Sequence, residues 1–276
     1  MNSASLPYTV LVLLVEMAVG SLAMVTVFDA RRQVTAGYVK AGAMFVLPLG
    51  LLALWTVTTL DRRTELDGYA LSDGWLWPFT VVLVAFVACS GVYAVAAFAQ
   101  RRRAGALSGT VGSAVGVVDL LLLAGYLSAP AWSFAGVALS MVASTAVLGG
   151  ALMAMTWGHW YLTSGRLPKE PMEQMSLVVL AALGVQAVLV LAGAILPVRE
   201  VPMSDGADIG LLANPAFWLR VGVGLVFPIG VTWLAFKSAQ IRGMMSATGL
   251  LYIALGAVLA GEVLARGLLF TTGAAV

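Results

Sequence analysis

Five ionisable side chains stand inside long apolar runs of this sequence: Glu16, Asp119, Arg220, Glu262 and Arg266. Each is of a type that does acid–base or electrostatic chemistry. A carboxylate withdrawn from water can accept or release a proton, and an arginine can hold it in place or bind an oxygen of a ligand. Glu262 and Arg266 are four residues apart, so on a helix they share a face. That spacing reads either as a self-neutralising pair that pins its helix or as a proton-transfer carboxylate tuned by arginine. Glu16 and Asp119 have no partner three or four residues away. They must meet Arg220 or Arg266 from another helix, or stay neutral. Arg220 reads as a ligand anchor or as a side chain reaching out to headgroups. Gln186 is a neutral sixth member of the set.

The single histidine, His159, lies in Trp157-Gly158-His159-Trp160-Tyr161-Leu162. The segment reads as an interfacial aromatic belt. Alternatively it is a headgroup site, with Trp157 and Tyr161 stacking a ring and His159 exchanging a proton. One histidine excludes a haem held by two His within the chain. One cysteine, Cys89, excludes an intrachain disulfide and a cysteine-held zinc or iron–sulfur cluster. No metal site is expected.

The elements that must position these groups follow from composition. Of 276 residues, 61% are hydrophobic and 10% charged, with a mean hydropathy of +0.98. A soluble domain carries about 25% charged residues, so the solvent for this chain is a lipid bilayer. A span needs about 20 apolar residues. Eight stretches qualify, at 7–28, 40–60, 76–99, 107–128, 131–157, 175–197, 215–236 and 247–270. The first carries Glu16 and lacks a basic leader, so it reads as a span and not as a cleaved signal. The break between the fourth and fifth spans rests on the turn signal Ala129-Pro130. The expected fold is all-α: a polytopic helix bundle of about eight transmembrane helices forming one transmembrane domain over 1–276, with no soluble domain.

Orientation follows from Lys and Arg in short loops. The loops after spans 1, 3, 5 and 7 hold Arg31, Arg32, Lys40, Arg101, Arg102, Arg103, Arg166, Lys169, Lys237 and Arg242. The other loops hold Arg62, Arg63 and Arg199, diluted by Asp61, Glu65, Asp67, Asp73, Glu200, Asp205 and Asp208. Ten against three puts the odd-numbered loops in the cytoplasm and both termini outside. On that topology the charges lie between the midplane and the outer face. The net charge of +2 gives no reason to expect a nucleic-acid partner. Gly112 and Gly116 make a small-xxx-small face leading towards Asp119, and Gly149, Gly150, Gly222 and Gly224 read as helix-packing residues. Pro228 and Pro48 read as kinks.

The run Gly261-Glu262-Val263-Leu264-Ala265-Arg266-Gly267-Leu268-Leu269-Phe270 is similar to the closing helix of the membrane anchor subunits of the polysulfide and dimethyl sulfoxide reductase class. Span 1, with Gly20, resembles that family more loosely. The family's segment after span 2, with a His and a Gly-Ser-Pro turn, is replaced here by Asp61-Arg62-Arg63-Thr64. The resemblance implies quinol binding near the outer face and electron transfer to iron–sulfur partner subunits.

The expected function is a haem-free anchor subunit of a respiratory or electron-transfer complex in a bacterial-type inner membrane, binding quinone. Glu16, Asp119 and Glu262 are the acid–base candidates. Arg220, Arg266, His159, Trp157 and Tyr161 are the binding candidates, and the redox centres, iron–sulfur or haem, belong to partners. A proton-coupled transporter or channel using the same carboxylates is the alternative. A non-catalytic accessory subunit, whose charges only hold helices together, is a third.

Overall fold

In hydrocarbon every backbone N–H and C=O must be paired within its own segment, so long apolar runs have one answer, the α-helix. A computed structural model describes residues 4–66, 69–128, 134–164, 167–195 and 210–276. It contains eight helical spans long and apolar enough to cross a membrane. They are α1 (Leu6–Ala30), α2 (Ala36–Thr59), α3 (Leu76–Phe98), α4 (Arg102–Leu127), α5 (Phe134–Ser164), α6 (Glu170–Ile195), a seventh span in three pieces, and α9 (Met244–Thr272). The chain is a multi-pass, all-α membrane protein. The turn signal at Ala129-Pro130, and with it Arg166, Arg199, Asp67, Glu200, Asp205 and Asp208, lies outside the described residues.

The helices mostly outrun the apolar stretches, chiefly at the end where Lys and Arg gather. The second, fourth, sixth and eighth helices begin at Ala36, Arg102, Glu170 and Met244, before the apolar runs at 40, 107, 175 and 247. Hydropathy stops at the hydrocarbon boundary, whereas helical hydrogen bonding continues through polar residues into the interface. Tight reversals follow at this face. Arg32, Gln100 and Arg242 all adopt left-handed backbone, at φ 56°, 56° and 60°, each just past a helix C-terminus. Arg102 bridges from its helix to Asp29 at 3.2 Å, and Lys169 donates to the carbonyl of Gln240 at 2.7 Å. We call this end the basic face.

At the opposite end a two-residue antiparallel ladder, β1 (Glu65–Leu66) with β2 (Tyr69–Ala70), folds over the bundle. Tyr69 packs edge-on to Phe270 at 5.7 Å and donates its hydroxyl to the carbonyl of Leu127. Burial holds that phenol well above its ordinary range. Tyr8 stacks on Tyr126 at 6.4 Å, meets Phe270 at 6.5 Å and donates to the carbonyl of Asp61 at 2.8 Å. This tyrosine face ties the start of α1 and the connection between α2 and α3 to the ends of α4 and α9.

Helices α1 and α5 form the centre. Their most apolar stretches are 72% and 83% buried, against 28% for α2 and 33% for α3 and α6. Their backbones touch: a Cβ on Gly149 would lie 2.4 Å from the Cα of Gly20. On the other side of α1, Gly109, Gly112 and Gly116 of α4 receive Thr26, Leu22 and Val19. The small-xxx-small face therefore packs within this chain.

Candidate functional site

Four of the five intramembrane charges meet. Arg266 of α9 lies 2.5 Å from Glu16 of α1 and 3.5 Å from Glu262, one turn away on its own helix. Glu262 Oε1 accepts from Arg220 Nη2 at 3.1 Å and from Gln186 Nε2 of α6 at 2.6 Å. Its Oε2 accepts from the hydroxyl of Ser144, on α5, at 2.7 Å. Ser144 Oγ accepts in turn from Arg266 Nη2 at 3.0 Å and Gln186 Nε2 at 3.1 Å. Every side chain in the set is buried, none more than 3% exposed.

Matched depth explains why these residues can meet. Glu16 is ten residues from the tyrosine-face end of its helix at Leu6, Ser144 ten from Phe134, and Glu262 ten from Thr272. Gln186 is nine from Ile195. At 1.5 Å per residue each lies about 15 Å below that face. Arg220 and Arg266 enter their helices nearer the face, five residues from Pro215 and six from Thr272, and their long side chains descend to the same level. Arg220 therefore turns into the bundle and not towards headgroups.

The seventh span is shaped around Arg220. It consists of α7 (Pro215–Val221), a π-helical turn (Gly222–Val226) and α8 (Phe227–Gln240). Pro228 has no N–H to give the carbonyl four residues back, that of Gly224. That oxygen accepts from Arg220 Nη1 at 3.4 Å instead. The expected kink at Pro228 is thus a widened turn just ahead of it. Gly224 also lets α9 come close, since a Cβ there would lie 2.6 Å from the Cα of Gly261. Arg220 Nη1 lies about as near to both glycines, in the space that Cβ atoms would take.

The cluster holds two carboxylates and two guanidiniums, so its formal charges balance when both carboxylates are ionised. It also retains spare capacity: Glu16 Oε2, Gln186 Oε1, Arg220 Nε and Arg266 Nε have no hydrogen-bond partner among the described residues. Such a cluster can hold helices in one arrangement, and it can exchange a proton by redistributing its bonds. The in-helix spacing of Glu262 and Arg266 produces only the longest of its three ion pairs. Ser144 has no charge to single it out in the sequence. Its depth, ten residues from a helix end like Glu16 and Glu262, shows only once the helix ends are known.

Asp119 stands apart. It is fully buried and neither carboxyl oxygen has a hydrogen-bond partner among the described residues. Gly109, Gly112 and Gly116 meet Thr26, Leu22 and Val19 in antiparallel register, which brings Asp119 level with Val15 and Glu16. It shares the depth of the cluster without joining its bonds.

The aromatic segment near the basic face divides between two environments. Trp157 is fully buried and edge-on to Tyr38 at 5.2 Å. Trp160 covers Gly37. His159 is exposed, with Nδ1 3.4 Å from the hydroxyl of Tyr252, and Tyr161 is half-buried. Trp157 and His159 do not share a surface on which a ring could stack.

A separate groove of about 590 Å³ runs beside α1 towards the basic face, between α4, α5 and α6. Its walls are apolar, and Arg31, Gln33 and Gln174 stand at its end. None of the clustered charges lines it. No family model matches the chain, and no match was found among curated proteins or solved structures.

Proposed function

We propose that this chain is the haem-free membrane subunit of an electron-transfer complex, and that its buried cluster handles the protons of quinone chemistry. The observation that carries this reading is the cluster itself: two carboxylates and two guanidiniums from three helical elements, withdrawn from water and bonded to Ser144 and Gln186 of two more. Packing does not require it. Replacing a buried ion network by apolar side chains of similar volume is often neutral or stabilising, and ionisable groups at this depth cost about 2.5–3.5 kcal/mol each on insertion scales. Quinol oxidation releases two protons and two electrons. Glu16, with one oxygen free of hydrogen bonds, is the proton acceptor in this reading. Arg266 and Arg220 hold the charge that results, and Asp119 supplies a second acidic group at the same depth. The electrons pass to an iron–sulfur or haem centre on a partner subunit. The basic face lies in the cytoplasm of a bacterial-type cell, and the cluster lies in the outer half of its inner membrane.

A second reading is favoured by the exact charge balance: the cluster is a lock that fixes helix arrangement in an accessory subunit. Purification from native membranes in mild detergent separates the two. The proposal expects a coloured partner to co-elute and to be reduced by a quinol analogue. It also expects Asp119→Asn to lower that rate at least tenfold, about 1.4 kcal/mol in the barrier, with assembly unchanged because Asp119 has no hydrogen-bond partner among the described residues. A colourless protein, or a wild-type rate for Asp119→Asn together with a wild-type rate for a neutralised Glu16–Arg266 pair, moves the lock reading to first place.

A further inference from the structure

The groove beside α1 has the form of a lipid site. Its lining on α1 runs along one stripe, through Val19, Ala23 and Val27 to Arg31. The twelve steps from Val19 to Arg31 span about 18 Å at 1.5 Å per residue. The space is therefore long and narrow and parallel to the helix axes, the direction of an acyl chain in a bilayer. Its volume of about 590 Å³ falls within the usual range for a specific small-molecule site. At the deep end the lining runs to Leu120 of α4 and Val142 of α5, and the flank on α6 is formed by Leu177 and Val178.

The two ends differ in chemistry. At the basic face the apolar walls give way to Arg31, Gln33 and Gln174. Arg31 is exposed and none of the ion pairs among the described residues includes it, whereas Arg102 on the same face is bridged to Asp29. Gln33 donates to Gln174 at 3.2 Å, and the buried Gln33 Oε1 has no donor among the described residues. The mouth thus offers a free cation and an unsatisfied acceptor at headgroup level, above a slot that fits hydrocarbon.

We propose that this groove binds one anionic phospholipid. One acyl chain lies along α1, the phosphate pairs with Arg31, and a hydroxyl of a glycerol-type headgroup donates to Gln33 Oε1. The occupant is fixed by charge complementarity: a guanidinium free of protein carboxylates beside an apolar slot selects an anionic amphiphile. A zwitterionic lipid brings its own cation to Arg31, and a quinone brings no charge. The proposal is independent of the quinone reading, because none of the clustered charges lines the groove.

The test uses the full-length protein in nanodiscs of equal phosphatidylglycerol and phosphatidylcholine. The protein is transferred to detergent and washed, and the retained lipid is measured by intact mass. The expected result is one retained phosphatidylglycerol per chain, favoured at least fivefold over phosphatidylcholine. Arg31→Gln should abolish that preference while a lipid is still retained. Val178→Trp, at a membrane-facing position on the flank, and Ala23→Trp, inside the groove, should each lower retention at least fivefold. Val178→Trp keeps the test sound if Ala23→Trp fails to fold. Equal retention of both lipids by the wild type, undiminished retention in folded Val178→Trp, or retention of a co-purified quinone in place of phospholipid would each overturn the proposal.

Discussion

Glu262 accepts hydrogen bonds from three helical elements besides contacting Arg266 on its own helix, and so it is the hinge of the cluster. Glu262→Gln leaves two guanidiniums facing Glu16 alone. Breaking a buried pair by removing one partner costs about 3–5 kcal/mol. We expect a loss of that size for Glu262→Gln, read as a lowered thermal midpoint in mild detergent. Adding Arg220→Gln restores charge balance and should recover at least a third of the loss. If the double variant is as unstable as the sum of the two single variants, Arg220 and Glu262 are not coupled. The charged members of the cluster were legible in the sequence, because a Glu or Arg in an apolar run has few reasons to be there. Which carboxylate meets which arginine was not. Local spacing joins Glu262 to Arg266, yet the shorter bonds run from Arg266 to Glu16 and from Arg220 to Glu262. Those pairs exist only once α1, the seventh span and α9 are side by side. Ser144 was silent for a similar reason. Its hydroxyl also reaches the carbonyl of Ser140 at 2.9 Å, the ordinary resting place of a serine on a membrane helix.

At the scale of the element, the seventh span shows how a backbone irregularity delivers a side chain. Pro228 has no N–H to donate, the turn ahead of it is widened, and Arg220 donates to the carbonyl of Gly224 within that turn. The contact between Gly224 and Gly261 holds the span against α9 at that point. A Cβ at either position would lie within 2.6 Å of the opposing Cα. Gly224→Ala and Gly261→Ala should therefore each cost about 1–3 kcal/mol by overpacking. They should also uncouple Arg220, so that Arg220→Gln costs less in a Gly224→Ala background than in the wild type. Fully additive effects, measured by thermal unfolding, would mean that the glycine contact does not position the arginine. Helix number and type were plain in the sequence, because twenty apolar residues in lipid have one fold. Helix ends were less so, since hydropathy marks the hydrocarbon edge and not the last helical bond. The π-turn was hidden. Pro228 announces a disturbance, but whether it becomes a kink or a widened turn depends on what meets the carbonyl of Gly224.

At the scale of the whole molecule, α1 and α5 form a spine and the other helices pack around it. The tyrosine face ties down one end, and the cluster ties five helical elements together about 15 Å below it. Both readings of the cluster share this architecture and differ only in whether protons move through it. The deciding variant must keep the charge balance, because a single neutralisation disturbs assembly and chemistry together. Glu16→Gln combined with Arg266→Gln does so: it removes the two ion pairs of Arg266, with Glu16 and with Glu262, and its bond to Ser144, and leaves the Arg220–Glu262 pair and the bonds of Glu262 to Ser144 and Gln186 in place. The measurement is quinol-dependent electron transfer in membranes, normalised to assembled complex. Our account predicts normal assembly and a rate at least tenfold below wild type. A wild-type rate from the assembled double variant would contradict it.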